Sequence, residues 1–208
     1  MRPLAWLDPW VLRRPFVGRT AARYASQRLG FGDFDARLCA RMAPDLEQAK
    51  LVLDLGAGAG ELTRRLRRVQ PNAAVVALEP SADYAAPGGL RARGEALPLA
   101  NGCVDVAVCL SSIRHVADRL AVFTELRRVV RLGGAVYIAE LDPDADQARR
   151  AHHRRGIRTA VASALFEWVV LPTCPSAAEI EQVARMAGWE AAGSEPDASQ
   201  PFYVMRLS

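Results

Sequence analysis

A short glycine-rich run beside two acidic residues is the part of this 208-residue sequence best suited to chemistry. Residues 54–60 follow an apolar stretch of strand length and precede a segment of helical periodicity. Glycines at alternate positions let a backbone turn sharply and approach a ligand, and the start of a helix presents amide groups to it. The pattern predicts a ligand site at the carboxyl end of a first strand, at the switch point of an open α/β sheet.

The glycine spacing and the acids favour one kind of nucleotide ligand. The GxGxG spacing is tighter than the GxGxxG of dinucleotide sites. Asp54 stands two residues before the first glycine, where it would repel a pyrophosphate and suit a ligand carrying an ammonium group. Glu79 ends the next predicted strand, where a carboxylate accepts ribose hydroxyls. Together these residues favour a charged nucleoside ligand over NAD.

The elements around this run alternate between strand-length apolar segments and segments of helical period, which is typical of βαβ units. The predicted strands are 51–55, 73–78, 90–93, 104–110, 135–141, 189–192 and 202–207. The predicted helices are 61–69, 120–130, 147–170 with a break near Gly156, and one capped by Ser176 with Glu179 as its capping-box partner. Such an order predicts a mostly parallel sheet with helices on both faces.

From about residue 51 to residue 140 the sequence resembles the class I S-adenosylmethionine (SAM)-dependent methyltransferases, particularly the small-molecule group that contains the ubiquinone/menaquinone C-methyltransferases. Five segments resemble the motifs of that family in the same order: 51–63, 77–81, 95–105, 111–116 and 127–134. The resemblance implies a Rossmann-like, doubly wound sheet of seven mostly parallel strands with helices on both faces and a reversed final strand. It also implies an enzyme that uses SAM as cofactor and releases S-adenosylhomocysteine.

The resemblance assigns cofactor contacts by matched position. Asp54 and the loop glycines would hold the methionine part of SAM, Glu79 the ribose hydroxyls, and residues 95–97 would lie along the adenine. The family usually has an aspartate at the position of Arg93, so either Glu95 substitutes for it or the adenine contact is weaker. The predicted cofactor-binding residues are Asp54, Gly56, Ala57, Gly58, Gly60, Glu79, Pro80, Glu95, Ala96, Leu97 and Ser111.

Candidate residues for the methyl acceptor follow the fourth strand and lie in the later helices. A histidine can act as a general base near neutral pH, so His115 is a candidate base, or it packs against the cofactor or caps the next helix. Arg114 could bind a carboxylate or phosphate bidentately, although a solvated surface position is the stronger expectation. The predicted substrate-binding residues are Tyr24, Arg114, His115 and Phe166, with Trp168 and Val169 as further candidates against ordinary core packing.

Three other segments have both a functional and a structural interpretation. The apolar residues within 4–16 predict a lid, a contact with a lipophilic acceptor or a membrane surface, or plain packing. The acids of 142–146 favour a solvated loop over a cation site, so no metal is predicted. The basic run 149–158 could meet a phosphate backbone, but it lacks interleaved aromatic residues and favours a charged helix face.

Composition sets the broad class. Half of the residues are apolar, and the net charge of +4 permits an anionic partner without requiring one. The sequence has no uncharged apolar run of about 18 residues, which predicts no transmembrane segment. Four scattered cysteines favour a reducing cytoplasm. We expect one domain, 1–208, made of four parts: a cap or lid (1–48), a SAM-binding core (49–141), a substrate-side helical insertion (142–175) and a closing helix and strands (176–208).

The function expected from these features is methyl transfer from SAM to a small, apolar or aromatic acceptor. Nucleic-acid base methylation is disfavoured because residues 111–114 lack an Asp/Asn-Pro-Pro-Tyr motif. Two alternatives stay open. One is an RNA or protein methyltransferase that uses the basic helix 149–158, and the other is a catalytically silent, methyltransferase-like binding subunit.

Overall fold

The computed structural model describes residues 31–84, 88–157 and 159–208. The strands are β1 (Leu51–Leu55), β2 (Ala74–Leu78), β3 (Val104–Leu110), β4 (Val130–Leu141), β5 (Ala191–Pro196) and β6 (Phe202–Leu207). They form one sheet in the order β2-β1-β3-β4-β6-β5. The first four strands are parallel, and β6 lies antiparallel between β4 and β5. The predicted doubly wound α/β fold with a reversed final strand is confirmed.

Helices cover both faces of this sheet. They are α1 (Phe34–Leu46), α2 (Glu61–Val69), α3 (Arg119–Val129), α4 (Gln147–Arg155), α5 (Ala160–Leu165) and α6 (Ala177–Met186). A π-helical segment, Phe166–Val170, and a turn, Leu171–Thr173, continue α5, and α6 begins at the predicted capping box between Ser176 and Glu179. The break predicted near Gly156 separates α4 from α5.

The sheet of the described residues has six strands, one fewer than predicted. The strand predicted at 90–93 is reduced to a single bridge. Leu90 pairs in parallel with Leu78 at the sheet edge. The chain then turns, because Arg93 and Ala96 form a second isolated bridge. A segment that folds back after so few residues cannot extend a ladder along β2. β4 also begins earlier than predicted, at Val130, with a register irregularity before residue 135.

α1 is a core helix. Its apolar residues recur with helical spacing and are fully buried: Phe34, Leu38 and Met42. Burying each such side chain contributes roughly 1.5–3 kcal/mol. The last part of the predicted cap, 1–48, therefore packs on the sheet as a structural layer. Tyr24 and the apolar N-terminal segment lie outside the described residues.

One described stretch, Ala160–Met186, has the length and apolar composition of a membrane-crossing helix. It is not a single helix. The backbone is extended at Cys174 and again at Ser176, where α6 starts with its own cap. About a fifth (22%) of its most apolar part is buried, and the stretch resembles a spanning helix by length and composition only.

Candidate functional site

The glycine-rich loop leaves β1 and starts α2, as the sequence predicted. Gly56, Gly58 and Gly60 have φ angles of 72°, 53° and 77°, in the left-handed region that residues with a Cβ rarely adopt. The N–H groups of Gly56 and Ala57 both donate to the carbonyl of Leu78 at the end of β2, at 2.8 and 3.1 Å. The loop is therefore folded across the carboxyl ends of two neighbouring strands.

The first two glycines have different neighbours. A Cβ on Gly56 would lie 2.4 Å from Oγ of Ser112, the residue two places after β3. That hydroxyl donates to the Gly56 carbonyl at 2.9 Å, so the close approach is between two parts of the protein. A Cβ on Gly58 would meet nothing within 4 Å. The open side at Gly58 is where a ligand could lie against the loop.

Glu79 reaches the loop from the end of β2. Its Oε2 accepts a hydrogen bond from the N–H of Gly58 at 2.9 Å, and its Oε1 accepts one from Ser81 at 3.0 Å. Burial raises the pKa of the Glu79 carboxyl, and the two backbone hydrogen bonds partly oppose that effect. Pro80 follows, and its carbonyl accepts from Nε of Arg91 at 3.2 Å. The structure thus brings the predicted ribose acceptor beside the glycine loop.

Asp54 lies beneath the loop with only 1% of its surface exposed. Its Oδ2 accepts a hydrogen bond from Oγ1 of Thr63 in the first turn of α2, at 2.6 Å. A buried carboxylate at the start of a helix is stabilised by the amide end of the helix dipole. This contact fixes α2 against β1, a role that the sequence analysis did not assign. The contact with a ligand ammonium stays a prediction.

Ser111 begins the segment after β3 with a φ of 52°, the one positive φ of a residue other than glycine in the described ranges. Its N–H donates to the carbonyl of Ala139 at 2.8 Å, and its hydroxyl lies 3.4 Å from Oε1 of Glu140. Glu140 is fully buried and also accepts from the N–H of Leu141 at 2.8 Å. Burial raises the pKa of the Glu140 carboxyl, while the charge of Arg114 lowers it.

Arg114 is buried, with 5% of its surface exposed, so the expectation of a solvated surface position is wrong. Its Nε donates to Nε2 of His115 at 3.1 Å, and its Nη1 contacts Sγ of Cys174 at 3.0 Å. In this contact Nε2 of His115 is the acceptor. Arg114 therefore connects the predicted acceptor-side histidine to the end of the helical insertion.

Glu95 holds the start of the predicted adenine loop against α3. Its Oε1 accepts from the N–H groups of Ala117 and Asp118 at 3.2 and 3.5 Å, just before α3 begins. One carboxylate oxygen is therefore used within the protein. This weighs against a full replacement by Glu95 of the aspartate that the family has at the position of Arg93.

The turn that follows Arg93 presents a mixed surface. The side chains of Arg93 and Ala96 are exposed, whereas Leu97 is buried in the core beneath α3. The N–H of Ala96 donates to the Arg93 carbonyl at 3.2 Å. Ala96 thus lies at the surface of the loop, Glu95 is partly buried, and Leu97 anchors the loop.

The acceptor-side candidates of the insertion separate into one buried and one exposed aromatic residue. Phe166 is buried, and its ring centroid lies 4.5 Å from that of His153. Trp168 has 75% of its surface exposed, and Val169 is partly buried. Phe166 belongs to the same core cluster as Phe202, which agrees with the packing alternative for this residue.

Arginines of the basic run 149–158 form ion pairs with nearby acidic side chains. Asp146 caps α4 and accepts from Nε of Arg149 at 2.7 Å. Arg150 and Arg154 both lie within ion-pair distance of Glu167, at 3.5 and 2.8 Å. Within the described ranges, no group of three or more potential metal-ligating side chains lies close together.

Several solved structures share this fold. The structure aligns with a SAM-dependent methyltransferase from Aquifex aeolicus at a TM-score of 0.65 and 14% identity, over 90% of this chain and 97% of that one. It aligns with a SAM-dependent methyltransferase from Mesorhizobium loti at a TM-score of 0.61 and 14% identity, over 86% of this chain and 99% of that one. At such identities the likeness shows the fold, which is that of the class I SAM-dependent methyltransferases.

The sequence comparisons agree with this class. Residues 53–138 match a family model described as a methyltransferase domain. Over 142 residues the chain is 32% identical to the ubiquinone/menaquinone biosynthesis C-methyltransferase UbiE of Syntrophotalea carbinolica, an alignment that spans 61% of this chain and 60% of the relative. The chain thus covers less than two thirds of that relative. The predicted resemblance to the class I methyltransferases is therefore confirmed for residues 53–138 and for the fold, and the comparisons support SAM as the cofactor.

Two contacts of the site were missed from the sequence. Thr63 bonds Asp54 from the next helix, and Ser112 packs on Gly56 from a segment 56 residues away. A hydroxyl one turn into the helix after an acidic strand end is a usable local signal for the first contact. The second has no local signal, because it depends on which strands are neighbours in the sheet.

Proposed function

We propose that this chain transfers a methyl group from SAM to a small, apolar or aromatic organic acceptor. The observation that carries the proposal is the bond between the Glu79 carboxylate and the N–H of Gly58 at the carboxyl edge of the sheet, beside the open face of the loop. This arrangement offers a ribose acceptor and a sterically open loop in one place. The residues present therefore fit the cofactor.

We propose that different residues would contact the ribose, methionine and adenine parts of SAM. Glu79 would exchange its bond to the Gly58 amide for bonds to the ribose hydroxyls, and the Gly58 amide would then be available to the polar end of the methionine part. The 95–97 turn would lie along the adenine. When bound, SAM supplies an electrophilic methyl group attached to a positively charged sulfur.

The contacts of His115 favour a role in orienting the methyl acceptor over a role in removing a proton from it through Nε2. That nitrogen already accepts a hydrogen bond from Arg114, so it takes up no proton from an acceptor while the bond lasts. Holding the attacking atom in line with the methyl group supplies much of the rate in such transfers. We therefore propose that Arg114 and His115 shape and orient the acceptor site, with Tyr24 and Phe166 as further contacts.

Two considerations support a small apolar acceptor over a nucleic acid. A relative at 32% identity is named as a ubiquinone/menaquinone biosynthesis C-methyltransferase, and those acceptors are lipophilic. Three arginines of the basic helix are ion-paired with acids of the same chain, which reduces their capacity to neutralise phosphates.

The four cysteines, all within the described ranges, are thiols, in keeping with a reducing cytoplasm.

The cofactor part of this proposal is tested by calorimetric titration with SAM and S-adenosylhomocysteine, with NAD as the control ligand. We expect micromolar binding of the first two and none of NAD. Glu79→Gln should weaken binding by about tenfold or more, since a neutral amide accepts ribose hydroxyl bonds less strongly than a carboxylate. Glu61→Gln is the matched control, because Glu61 is an exposed partner of Arg64 in the same loop–helix unit.

The acceptor part needs a transfer assay. Labelled SAM is incubated with the protein and with separate panels of quinols and phenols, total RNA, and denatured protein extract. Label in the small-molecule panel alone supports the proposal. Label in RNA or protein would replace it with a macromolecular methyltransferase, and tight SAM binding without transfer to any panel would favour a silent binding subunit.

A further inference from the structure

We define the adenine-side loop as residues 95–101. One face of α3 is hydrogen-bonded to this loop at Leu97, Leu99 and Asn101. The guanidinium of Arg128 donates to both oxygens of Glu125, at 2.8 and 2.7 Å. It also donates to the carbonyls of Leu97 and Leu99, at 2.9 and 2.7 Å, and to Oδ1 of Asn101 at 2.9 Å. Glu125 in turn accepts from the N–H of Leu97 at 2.8 Å. We name Arg128 and Glu125 the loop clamp.

The loop clamp uses the full donor capacity of an arginine. A guanidinium has five N–H groups in a fixed plane, and Arg128 makes five hydrogen bonds. The pair is partly exposed, so its charge attraction alone contributes little to stability. Its consequence is geometric: a rigid planar group fixes three points of the loop relative to one helix.

The clamp takes both polar backbone groups of Leu97, whose side chain is also buried. At the other end of α3, Glu95 bonds the N–H groups of Ala117 and Asp118. These two attachments are separated by roughly 10–15 Å of helix, at about 1.5 Å per residue. The short turn before Leu97 lies between these attachments, so α3 sets its position.

We infer that Arg128 and Glu125 are positioning residues for the cofactor, which select its base by fixing the turn at Glu95 and Ala96. The inference rests on the proposed function, because it takes the bound base to be that of SAM. In this inference, the selection of the base depends on where the loop lies. The exposed side chain of Arg93 has no hydrogen-bond acceptor for the adenine amino group. Neither clamp residue touches the ligand.

The clamp is tested first without a ligand, by amide hydrogen exchange. Arg128→Lys keeps the charge, but a lysine has three N–H donors and no planar fork, so it cannot make the five bonds of Arg128. We expect the amides of residues 95–101 to exchange about tenfold faster in this variant, while the amides of β1 and β3 are unchanged. The matched control is Arg127→Lys, because the neighbouring arginine lies over the Trp189 ring on the other face of α3, 5.2 Å from its centroid.

Base selection is tested with S-adenosylhomocysteine and its inosine counterpart, which differ only at the base. The wild-type protein should prefer the adenine compound. Arg128→Lys should reduce that preference by about fivefold or more, because a displaced turn leaves the groups that read the base misaligned. Arg127→Lys should leave it unchanged. A loss of overall stability would weaken both ligands equally, so the ratio of their dissociation constants separates the two explanations.

Three results would overturn the inference. The first is unchanged exchange at residues 95–101 in Arg128→Lys. The second is faster exchange with an unchanged ligand ratio, which would leave the clamp a purely structural feature. The third is a wild-type protein that binds neither ligand, which sinks the proposed function as well and is distinguished from the other two by the exchange data.

Discussion

The cofactor side and the acceptor side of this molecule are built differently. We define the cofactor side as residues 54–60, 79–81 and 95–101, and the acceptor side as residues 111–115 and 147–174. On the cofactor side, the glycine loop 54–60 is held mainly through its own backbone N–H groups, as in the two bonds to the Leu78 carbonyl and the bond from Gly58 to Glu79, whereas residues 95–101 are held by the side chains of Arg128 and Glu125. The acceptor side is held by side chains distant in sequence, as in the contact of Arg114 with Cys174.

The difference explains why motifs locate a cofactor more readily than an acceptor. A backbone geometry restricts the residue type at one position, so it leaves a pattern in the sequence. A packing contact can be made by many pairs of residues, so it leaves none. The predictions below test the two halves of this comparison, from the largest expected effect to the smallest.

The largest effect is expected at Gly56 on the cofactor side. Gly56→Ala places a Cβ 2.4 Å from the Ser112 hydroxyl at a φ of 72°. The left-handed backbone costs about 1–2 kcal/mol, and the overlap adds about 1–3 kcal/mol. We expect the free energy of unfolding to fall by roughly 2–5 kcal/mol, measured by urea denaturation.

Gly58→Ala is the matched variant, because its φ is also positive and its Cβ would meet nothing within 4 Å. It should lose only the backbone cost, about 1–2 kcal/mol of stability. It should nevertheless weaken SAM binding more than its stability loss suggests, since the methyl group occupies the open side of the loop. Equal stability losses in the two variants would contradict the distinct roles of these glycines.

Particular residues show how far the sequence could predict this structure. Helix α2 and strand β3 have the predicted limits, because each has one strong hydrophobic period and a glycine at its start. The prediction of a strand at 90–93 is wrong, because composition does not distinguish a segment with one paired residue from a strand. Arg114 was expected at the surface because its burial depends on Cys174 and Glu140, which are both distant in sequence.

The second prediction concerns the two aromatic residues of the acceptor side. Phe166→Ala should lower the free energy of unfolding by about 3 kcal/mol, because it leaves a cavity beside His153. Trp168→Ala should change it by less than about 0.5 kcal/mol, since the side chain is largely exposed. Thermal and urea denaturation measure both. Similar losses in the two variants would mean that the exposed face of the insertion is covered by another part of the protein.

The smallest effect is expected at His153, which makes the acceptor side sensitive to mild acid. Burial lowers the pKa of this histidine, as does the nearby His152, while the hydrogen bond between Nδ1 and Gln200 partly opposes the shift. The folded protein therefore takes up this proton at a lower pH than the unfolded chain, whose histidines titrate near about 6.5. Between those two pKa values the unfolded chain binds more protons, so stability is full above about pH 6.5 and falls as the pH is lowered through that interval.

His153→Asn tests this dependence, because the asparagine amide can replace Nδ1 as a donor and does not titrate. Urea denaturation at about pH 7.5 and about pH 5.5 brackets the ordinary histidine pKa. Wild type and the exposed-neighbour control, His152→Asn, should lose more stability between these conditions than His153→Asn does. If all three proteins lose the same amount, the acid sensitivity comes from another group, and the buried ring of His153 acts only as packing between Phe166 and Phe202.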